Sequence, residues 1–315
     1  MAGARALDDA RVLAIFGPTG VGKTAVAVGL ADRMRTRGER PVAISADALQ
    51  LYAGLEIISG APSFEERERL EHRLVGTVPV TRSFSAGEYM PLAHTEIDAA
   101  LAAGRRPIVL GGTGLYLRAA LTQLDLAPPP SPGLRERIGA EIAARGAPEL
   151  HATLAARAPE AAARIDPADR TRVGRALELL EMGALAERPG SGGESQLWSQ
   201  VTLHPTDLVG LTMERGALYE AIDRRVDAML AAGVVEEVRR ADAAGASPTA
   251  RKALGFAELL ANDPEAMKRR TRNYAKRQVT WMRKLPNVVE IDVTGSMPAT
   301  VAAEIDRLLE PYAGR

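Results

Sequence analysis

The stretch Gly17-Pro18-Thr19-Gly20-Val21-Gly22-Lys23-Thr24 constrains this chain more than any other. It reads G-x-x-x-x-G-K-T, follows the apolar run Val12-Leu13-Ala14-Ile15-Phe16 and precedes an amphipathic segment. A strand, a glycine-rich loop and a helix in that order make a phosphate-binding loop. Its glycines let backbone N–H groups turn inward onto phosphate oxygens, and the helix N-terminus adds partial positive charge. Lys23 supplies a point charge to the distal phosphate, and the Thr24 hydroxyl is the expected Mg²⁺ contact. The expected fold class is α/β: a P-loop NTPase-like parallel sheet with flanking helices.

Composition closes off several other chemistries. The chain has no cysteine, which excludes disulfide frameworks, thiolate metal sites and a cysteine nucleophile. Its four histidines, His72, His94, His151 and His204, lie too far apart to make a metal-ligand spacing. The first residues carry Asp8 and Asp9 ahead of a short apolar run, unlike a signal peptide, and no stretch has membrane-crossing length. A cytoplasmic monomer without membrane contact is expected. Lys plus Arg and Asp plus Glu both number 40. That balance hides an asymmetry: Lys268, Arg269, Arg270, Arg272, Lys276, Arg277, Arg283 and Lys284 follow one another with no acid among them. A local excess of this kind steers a partner more than the net charge does.

Read in order, the chain alternates strand and helix signals. Ala25–Arg37 predicts a helix ending near Gly38, Pro41–Ser45 a buried strand, Phe64–Leu70 a short charged helix and Ala86–Ala103 a longer one. Pro107–Leu110 predicts a strand running into Gly-Gly-Thr113 and a new helix. This alternation implies a parallel sheet with right-handed crossovers, whose ligands sit beyond the strand C-termini. The loop, Asp47 and Thr113 should meet on that rim. The prolines at 128–130 and 132 mark a boundary, and alanine-rich helical spacing follows to about Glu187. The expected domains are a core of residues 1–130 and 195–315 and a helical insertion of residues 131–194. In the second half, Leu197–Leu203 predicts a strand, Glu214–Ala231 a helix, Lys252–Leu260 a short helical piece and Pro264–Lys284 the basic helix. Val288–Val293 predicts a last strand and Met297–Leu309 a closing helix.

Asp47 is the only acid plainly placed on the expected rim. Spacing leaves two roles open for it: orienting a metal, or acting as general base toward a nucleophile. On the basic helix, Ala275, Val279 and Met282 share a stripe that should face the core. Arg269, Arg272, Lys276 and Arg283 cluster to one side, with Tyr274 and Trp281 opposite. An exposed helix face usually mixes signs to form i,i+4 pairs, so an acid-free one points to a phosphate backbone. Arg170, Arg172 and Arg175 offer a second, weaker cluster, diluted by Asp166, Asp169 and Glu178.

Taken together, G-P-T-G-V-G-K-T, S-A-D-A-L-Q-L-Y, G-G-T-G-L-Y, R-V-G-R-A-L-E-L, R-R-V-D-A-M-L-A-A-G, A-L-G-F-A-E-L and A-K-R-Q-V-T-W-M-R resemble the bacterial tRNA dimethylallyltransferases (IPP transferases). The motifs occur in that family's order from Gly17 to about Arg283. The resemblance implies transfer of a dimethylallyl group from dimethylallyl diphosphate to N6 of the adenosine 3′ of the anticodon. The tRNAs concerned would read codons beginning with U. The loop, Gly17 to Thr24, would then hold a diphosphate leaving group, with Mg²⁺ at Thr24. Asp47 would be the base, with Arg225 on the diphosphate and Thr113 positioning the reacting groups. Asp47, Ala48, Leu49, Gln50 and Thr113 would lie beside the target base. Arg135, Thr171, Arg172, Val173, Gly174, Arg175, Lys276, Arg277, Gln278, Trp281 and Arg283 would hold the anticodon stem-loop.

The chain departs from the family's pattern after the base. Where the family usually continues R-G-M-D-I-G-T-A-K-P, this chain runs Ala53-Gly54-Leu55-Glu56-Ile57-Ile58-Ser59-Gly60-Ala61-Pro62. Ala48 replaces a serine, and Glu71-His72 stand where paired histidines are usual, so basic contacts near the substrate are fewer. Three rivals share some of these features: a prenyltransferase acting on free adenine nucleotides, an ATP-dependent small-molecule kinase, and a non-catalytic RNA-binding protein.

Overall fold

The computed structural model describes residues 11–126, 129–131, 133–185 and 201–309. The chain forms two compact units, one of Met1–Leu124 with Trp198–Arg315 and one of Asp125–Leu197. The larger unit is built on a parallel sheet. In chain order its first part comprises β1 (Val12–Phe16), α1 (Lys23–Thr36), β2 (Pro41–Ser45), β3 (Tyr52–Ala53), α2 (Glu56–Ser59) and α3 (Phe64–Arg69). There follow β4 (His72–Arg73), β5 (Val78–Pro79), α4 (Ala86–Ala102), β6 (Arg106–Gly111) and α5 (Gly114–Leu121).

The smaller unit holds α6 (Leu134–Arg145), α7 (Ala147–Arg157), α8 (Pro159–Ala162) and α9 (Arg170–Glu181) around its own apolar core. The chain then returns to the larger unit with β7 (Thr206–Thr212), α10 (Arg215–Ala231), α11 (Val234–Ala243) and α12 (Phe256–Leu260). It ends with α13 (Pro264–Met282), β8 (Val288–Asp292) and α14 (Pro298–Leu309).

The main sheet has the order β4-β2-β6-β1-β7-β8, and each of its neighbouring pairs is parallel. β1 and β2 are buried along their whole length, as strands covered on both faces must be. On one face α1 and α14 pack together, joining Leu30, Ala31 and Met34 to Val301, Ala302 and Ile305 in a single core. Asp306, almost wholly buried, accepts from Arg33 and Arg37 across that contact. Two helices begin with a reciprocal cap in which a serine and a glutamate satisfy each other's end of the first turn: Ser63 with Glu66, and Ser85 with Glu88. The chain leaves β1 toward β2 on one side and later returns to β7 on the other. This makes β1 the switch point of the sheet, where the C-terminal edge opens a crevice.

The structure corrects the reading of the second half. Of the strand expected at Leu197–Leu203, residues 197–200 lie outside the described residues and 201–203 are not strand. The strand beside β1 is Thr206–Thr212 instead. Its polar start hid it: Asp207 belongs to an ion cluster with Arg11 at 3.0 Å and Arg106 at 3.4 Å. Its glycine hid it too. A Cβ on Gly210 would stand 2.6 Å from Val288 Cγ1 and 2.8 Å from Met282 Sδ, so only glycine lets β8 and α13 close over the strand. Helix α11 and the short strands β3, β4 and β5 were not expected from the sequence. Gly210→Val should therefore overpack this junction and lower the unfolding free energy by about 1–3 kcal/mol, measured by urea denaturation. A neutral result would remove β7 from the buried sheet.

Candidate active site

Strands β2, β6 and β1 lie side by side, so their C-terminal ends deliver Asp47, Thr113 and the phosphate loop to one place. These residues line a cavity of about 850 Å³, together with Arg225 from α10 and Tyr274, Arg277 and Gln278 from α13. In the loop, Gly20 and Gly22 have φ of 86° and 90°, and Gly22 caps α1. Only glycine takes that left-handed turn cheaply, which aims the following N–H groups into the cavity. Lys23 Nζ donates to the carbonyls of Gly17 (2.9 Å) and Pro18 (3.0 Å), leaving one ammonium hydrogen for a ligand. Burial pulls the Lys23 pKa down to about 8; the Arg225 charge acts the same way and Asp47 opposes both.

Asp47 Oδ1 accepts the Leu49 N–H at 2.9 Å, which fixes the carboxylate's plane. Oδ2 has no hydrogen-bond partner among the described residues. The flanking residues brace it. Tyr89 donates to the Ser45 carbonyl (2.9 Å), and the Ser45 hydroxyl donates to Gln50 Oε1 (2.8 Å). Gln50 in turn donates to the Gly60 carbonyl at 3.1 Å. Thr113 sits at the N-cap of α5, but its hydroxyl makes no cap bond; it meets the Tyr274 hydroxyl at 3.2 Å. Burial and the Asp47 charge push Tyr274 up to about 12, against the pull of its Thr113 hydrogen bond. Tyr274 therefore keeps its proton in the working range.

Arg225 Nη2 donates to the Ser59 carbonyl at 3.3 Å, and burial lowers its pKa while Asp47 and Glu66 oppose. The close approach depends on Gly60, where a Cβ would stand 1.7 Å from Arg225 Nη2. Gly60 also has φ of 58°, a conformation that favours glycine. Glu237 on α11 is 3% exposed and accepts the N–H groups of Ile57 (2.7 Å) and Ile58 (2.8 Å), capping the short helix that ends in Ser59. Burial raises its pKa, and those two bonds oppose the shift. Neither Gly60 nor Glu237 was legible as a site residue, because each acts on a partner more than 160 positions away in the chain. Lys252 also lines the cavity and was likewise missed.

The expected RNA-holding residues divide into two groups. Lys276, Arg277 and Arg283 are exposed, with no ion-pair partner among the described residues. Lys276 lies 5.8 Å from the centre of the Tyr219 ring, and Arg277 lies 5.5 Å from that of Tyr274. Gln278 and Trp281 turn inward instead. Gln278 is 4% exposed and takes the place on the buried stripe expected of Val279, which is half-buried. Trp281 lies 6.1 Å from the Phe16 ring and packs over Gly114, where a Cβ would meet its Cε3 at 2.1 Å.

The basic helix is also less bare than its run of cations: its own first turn carries Glu265, which pairs with Lys268 at 3.1 Å. Acids from other segments pair with it: Asp223 with Arg272 (3.0 Å), Asp227 with Lys268 (2.7 Å) and Glu258 with Arg270 (2.6 Å); its own N-cap Asp263 lies 3.7 Å from Arg269. In the smaller unit, Val173 and Gly174 are buried, and Thr171 and Arg172 are exposed. Arg135 and Arg175 both donate to the buried Glu178, at 2.9 and 2.7 Å. Burial pushes Glu178 up, but the two arginines outweigh it and hold it below the usual carboxylate value.

Fold and site thus define an α/β protein of the phosphate-binding-loop class, with a carboxylate, a hydroxyl and two cations converging on one cavity. The IPP transferase family model matches residues 50–285. A tRNA dimethylallyltransferase from Thermobifida fusca is 40% identical over 288 residues, covering 88% of each chain. One from Rhodospirillum centenum is 43% identical over 290 residues, covering 86% of this chain and 88% of that one. The crystal structure of the full-length tRNA isopentenylpyrophosphate transferase from Bacillus halodurans aligns with a TM-score of 0.68 at 32% identity, covering 96% of both chains. The chain belongs to the IPP transferase family.

Lys23 must be protonated to hold an anion, and its pKa of about 8 places that requirement within the working range. Binding of pyrophosphate above pH 8 should therefore take up a proton at Lys23, and affinity should fall as pH rises from 7 to 9. Calorimetry in buffers of different ionisation enthalpy measures this uptake. Lys23→Met should bind more weakly and take up less; equal uptake by the two proteins would contradict the shift.

Proposed function

We propose that this chain transfers a dimethylallyl group from dimethylallyl diphosphate to N6 of the adenosine 3′ of a tRNA anticodon. The observation that carries the reading is the convergence of Asp47, Thr113, Arg225 and the Lys23 loop on one cavity. In the reaction the C1–O bond of the allylic diphosphate breaks, and its electron pair leaves with the diphosphate. The bond from N6 to C1 forms, and N6 gives up one proton to Asp47. Ionisation is rate-enhancing only where the departing charge is stabilised; Lys23, Arg225 and the loop N–H groups carry that charge. The adenine amine is a weak nucleophile, so a base held by its own Leu49 bond and aimed into the cavity is the group it needs.

A divalent cation fits the donor set. Among the described residues no group of three or more His, Asp or Glu side chains could cage a metal, but Thr24 lines the cavity beside Lys23. Magnesium is commonly held by substrate phosphates with few protein ligands, and Thr24 would be such a ligand. When bound, the ion would neutralise developing charge on the diphosphate oxygens. No helix among the described residues is long and apolar enough to cross a membrane. We place the enzyme in the cytoplasm, acting as a monomer, with residues 131–194 and the outward face of α13 as its tRNA contacts.

Incubation with dimethylallyl diphosphate labelled in the five-carbon group, Mg²⁺ and either tRNA or AMP should place label on tRNA adenine and none on AMP. Label on AMP alone would replace this reading with nucleotide prenylation. Asp47→Asn should lower kcat by about 10²–10⁴ while RNA affinity stays within twofold. Equal product from both proteins removes the base role.

The salt dependence of RNA binding separates the outward cations from the paired ones. Arg277→Ala with Arg283→Ala should reduce the slope of log K against log salt by about 0.7 for each phosphate no longer neutralised. Arg272→Ala, whose partner is Asp223, should leave that slope unchanged. The reverse pattern would move the RNA off this face.

A further inference from the structure

Gln278 occupies a position that the proposed tRNA role does not explain. Its side-chain amide is buried and both of its ends are used. Oε1 accepts the Thr19 N–H at 2.9 Å, and Nε2 donates to the Gly112 carbonyl at 2.7 Å. Only one orientation of the amide satisfies both, because rotating it by half a turn would set N–H against N–H and oxygen against oxygen. Gly112 is shaped around this contact: a Cβ there would stand 2.3 Å from Gln278 Nε2 and 3.1 Å from the Gly17 carbonyl. One amide therefore joins three segments far apart in sequence: the phosphate loop, the turn between β6 and α5, and helix α13. Thr19 belongs to the loop that presents the anion-binding N–H groups, and Gly112 directly precedes Thr113. One helical turn earlier on α13, Tyr274 meets the Thr113 hydroxyl at 3.2 Å.

We infer that Gln278 is a positioning residue that holds the phosphate loop at a set distance from the Gly112–Thr113 turn, and that it does not contact RNA. The inference deepens the proposed reading of the cavity as a diphosphate-transfer site, on which it rests. An anion nest depends on N–H groups already aimed at where charge will lie. Releasing Thr19 frees one lip of the nest and lets it spread. Releasing Gly112 frees the hydroxyl-bearing turn beside it. Loss of Gln278 therefore acts on the diphosphate, whereas loss of Lys276, on the outer face of the same turn and outside the cavity lining, acts on the nucleic acid.

The test compares wild type with Gln278→Met, which keeps length and loses both hydrogen bonds. Gly112→Ala drives the amide away while leaving Gln278 itself intact. Three readouts are taken on the full chain: the Kd of Mg-pyrophosphate, the Kd of an anticodon stem-loop RNA, and hydrogen exchange of the Thr19 amide. Both variants should weaken pyrophosphate about tenfold, keep RNA affinity within twofold and exchange Thr19 faster. In turnover, KM for dimethylallyl diphosphate should rise with little change in KM for RNA. Weakened RNA binding at unchanged pyrophosphate affinity would overturn the inference and make Gln278 an RNA contact. Unchanged pyrophosphate affinity and unchanged exchange would overturn it as well, as would an equal loss of both affinities. The pyrophosphate and exchange measurements use neither RNA nor prenyl donor. Failure of the wild type to prenylate tRNA would thus sink the activity and leave this inference separately decided.

Discussion

Two recessed cations, Lys23 and Arg225, share one cavity, and Asp47 is the carboxylate whose charge acts on both of them. Burial and mutual repulsion lower the pKa of Lys23, and Asp47 offsets only part of that cost. A site of this kind is stabilised by an incoming anion, because partly desolvated charge of one sign needs a counter-charge. The surrounding architecture serves this constraint. Parallel strands place three loops on one rim, glycines let the backbone close on the cations, and bonds from outside the cavity hold each element in place. Gly60 makes room for Arg225, and Glu237 anchors the short helix whose carbonyl receives it.

Helix α13 is two-sided in a way that links the cavity to the surface. Its inner stripe bears Tyr274, Gln278 and Trp281, which touch Thr113, the phosphate loop and the start of α5 in turn. Its outer face keeps Lys276, Arg277 and Arg283 clear of acids, while cations of the first half are paired with acids of other segments and of the helix's own start. The positive face is therefore concentrated toward the C-terminal half. That half is also where the helix reaches the catalytic elements, so the proposed RNA face and the cavity lie on two sides of the same turns.

Several parts of this arrangement are legible in the sequence alone. Strand β1, the loop and α1 follow from a local pattern in which spacing, glycine and apolar runs agree. Asp47 and Thr113 could be set on the same rim because parallel α/β sheets bring strand C-termini together. Strand β7 was misplaced because its signal is non-local: Asp207 is tolerated in a strand only where Arg11 and Arg106 receive it, and Gly210 only where β8 and Met282 cover it. The inward turn of Gln278 had a usable signal. Thr271, Ala275, Gln278 and Met282 recur at helical spacing, and all four are buried. A polar residue on such a stripe must be hydrogen-bonded.

Sequence by itself determined that a phosphate nest exists, that a helix with an acid-free basic run, Lys268 to Lys284, follows it and that the motifs run in one family's order. These are properties of local spacing, and local spacing is what fixes backbone conformation and side-chain periodicity. Tertiary structure alone decided which cations are neutralised, which residues of α13 face the loop and why Gly60 and Gly112 lack side chains. Those outcomes depend on contacts between segments remote in the chain. Their geometry is set by how the elements pack, and no one-dimensional pattern carries it.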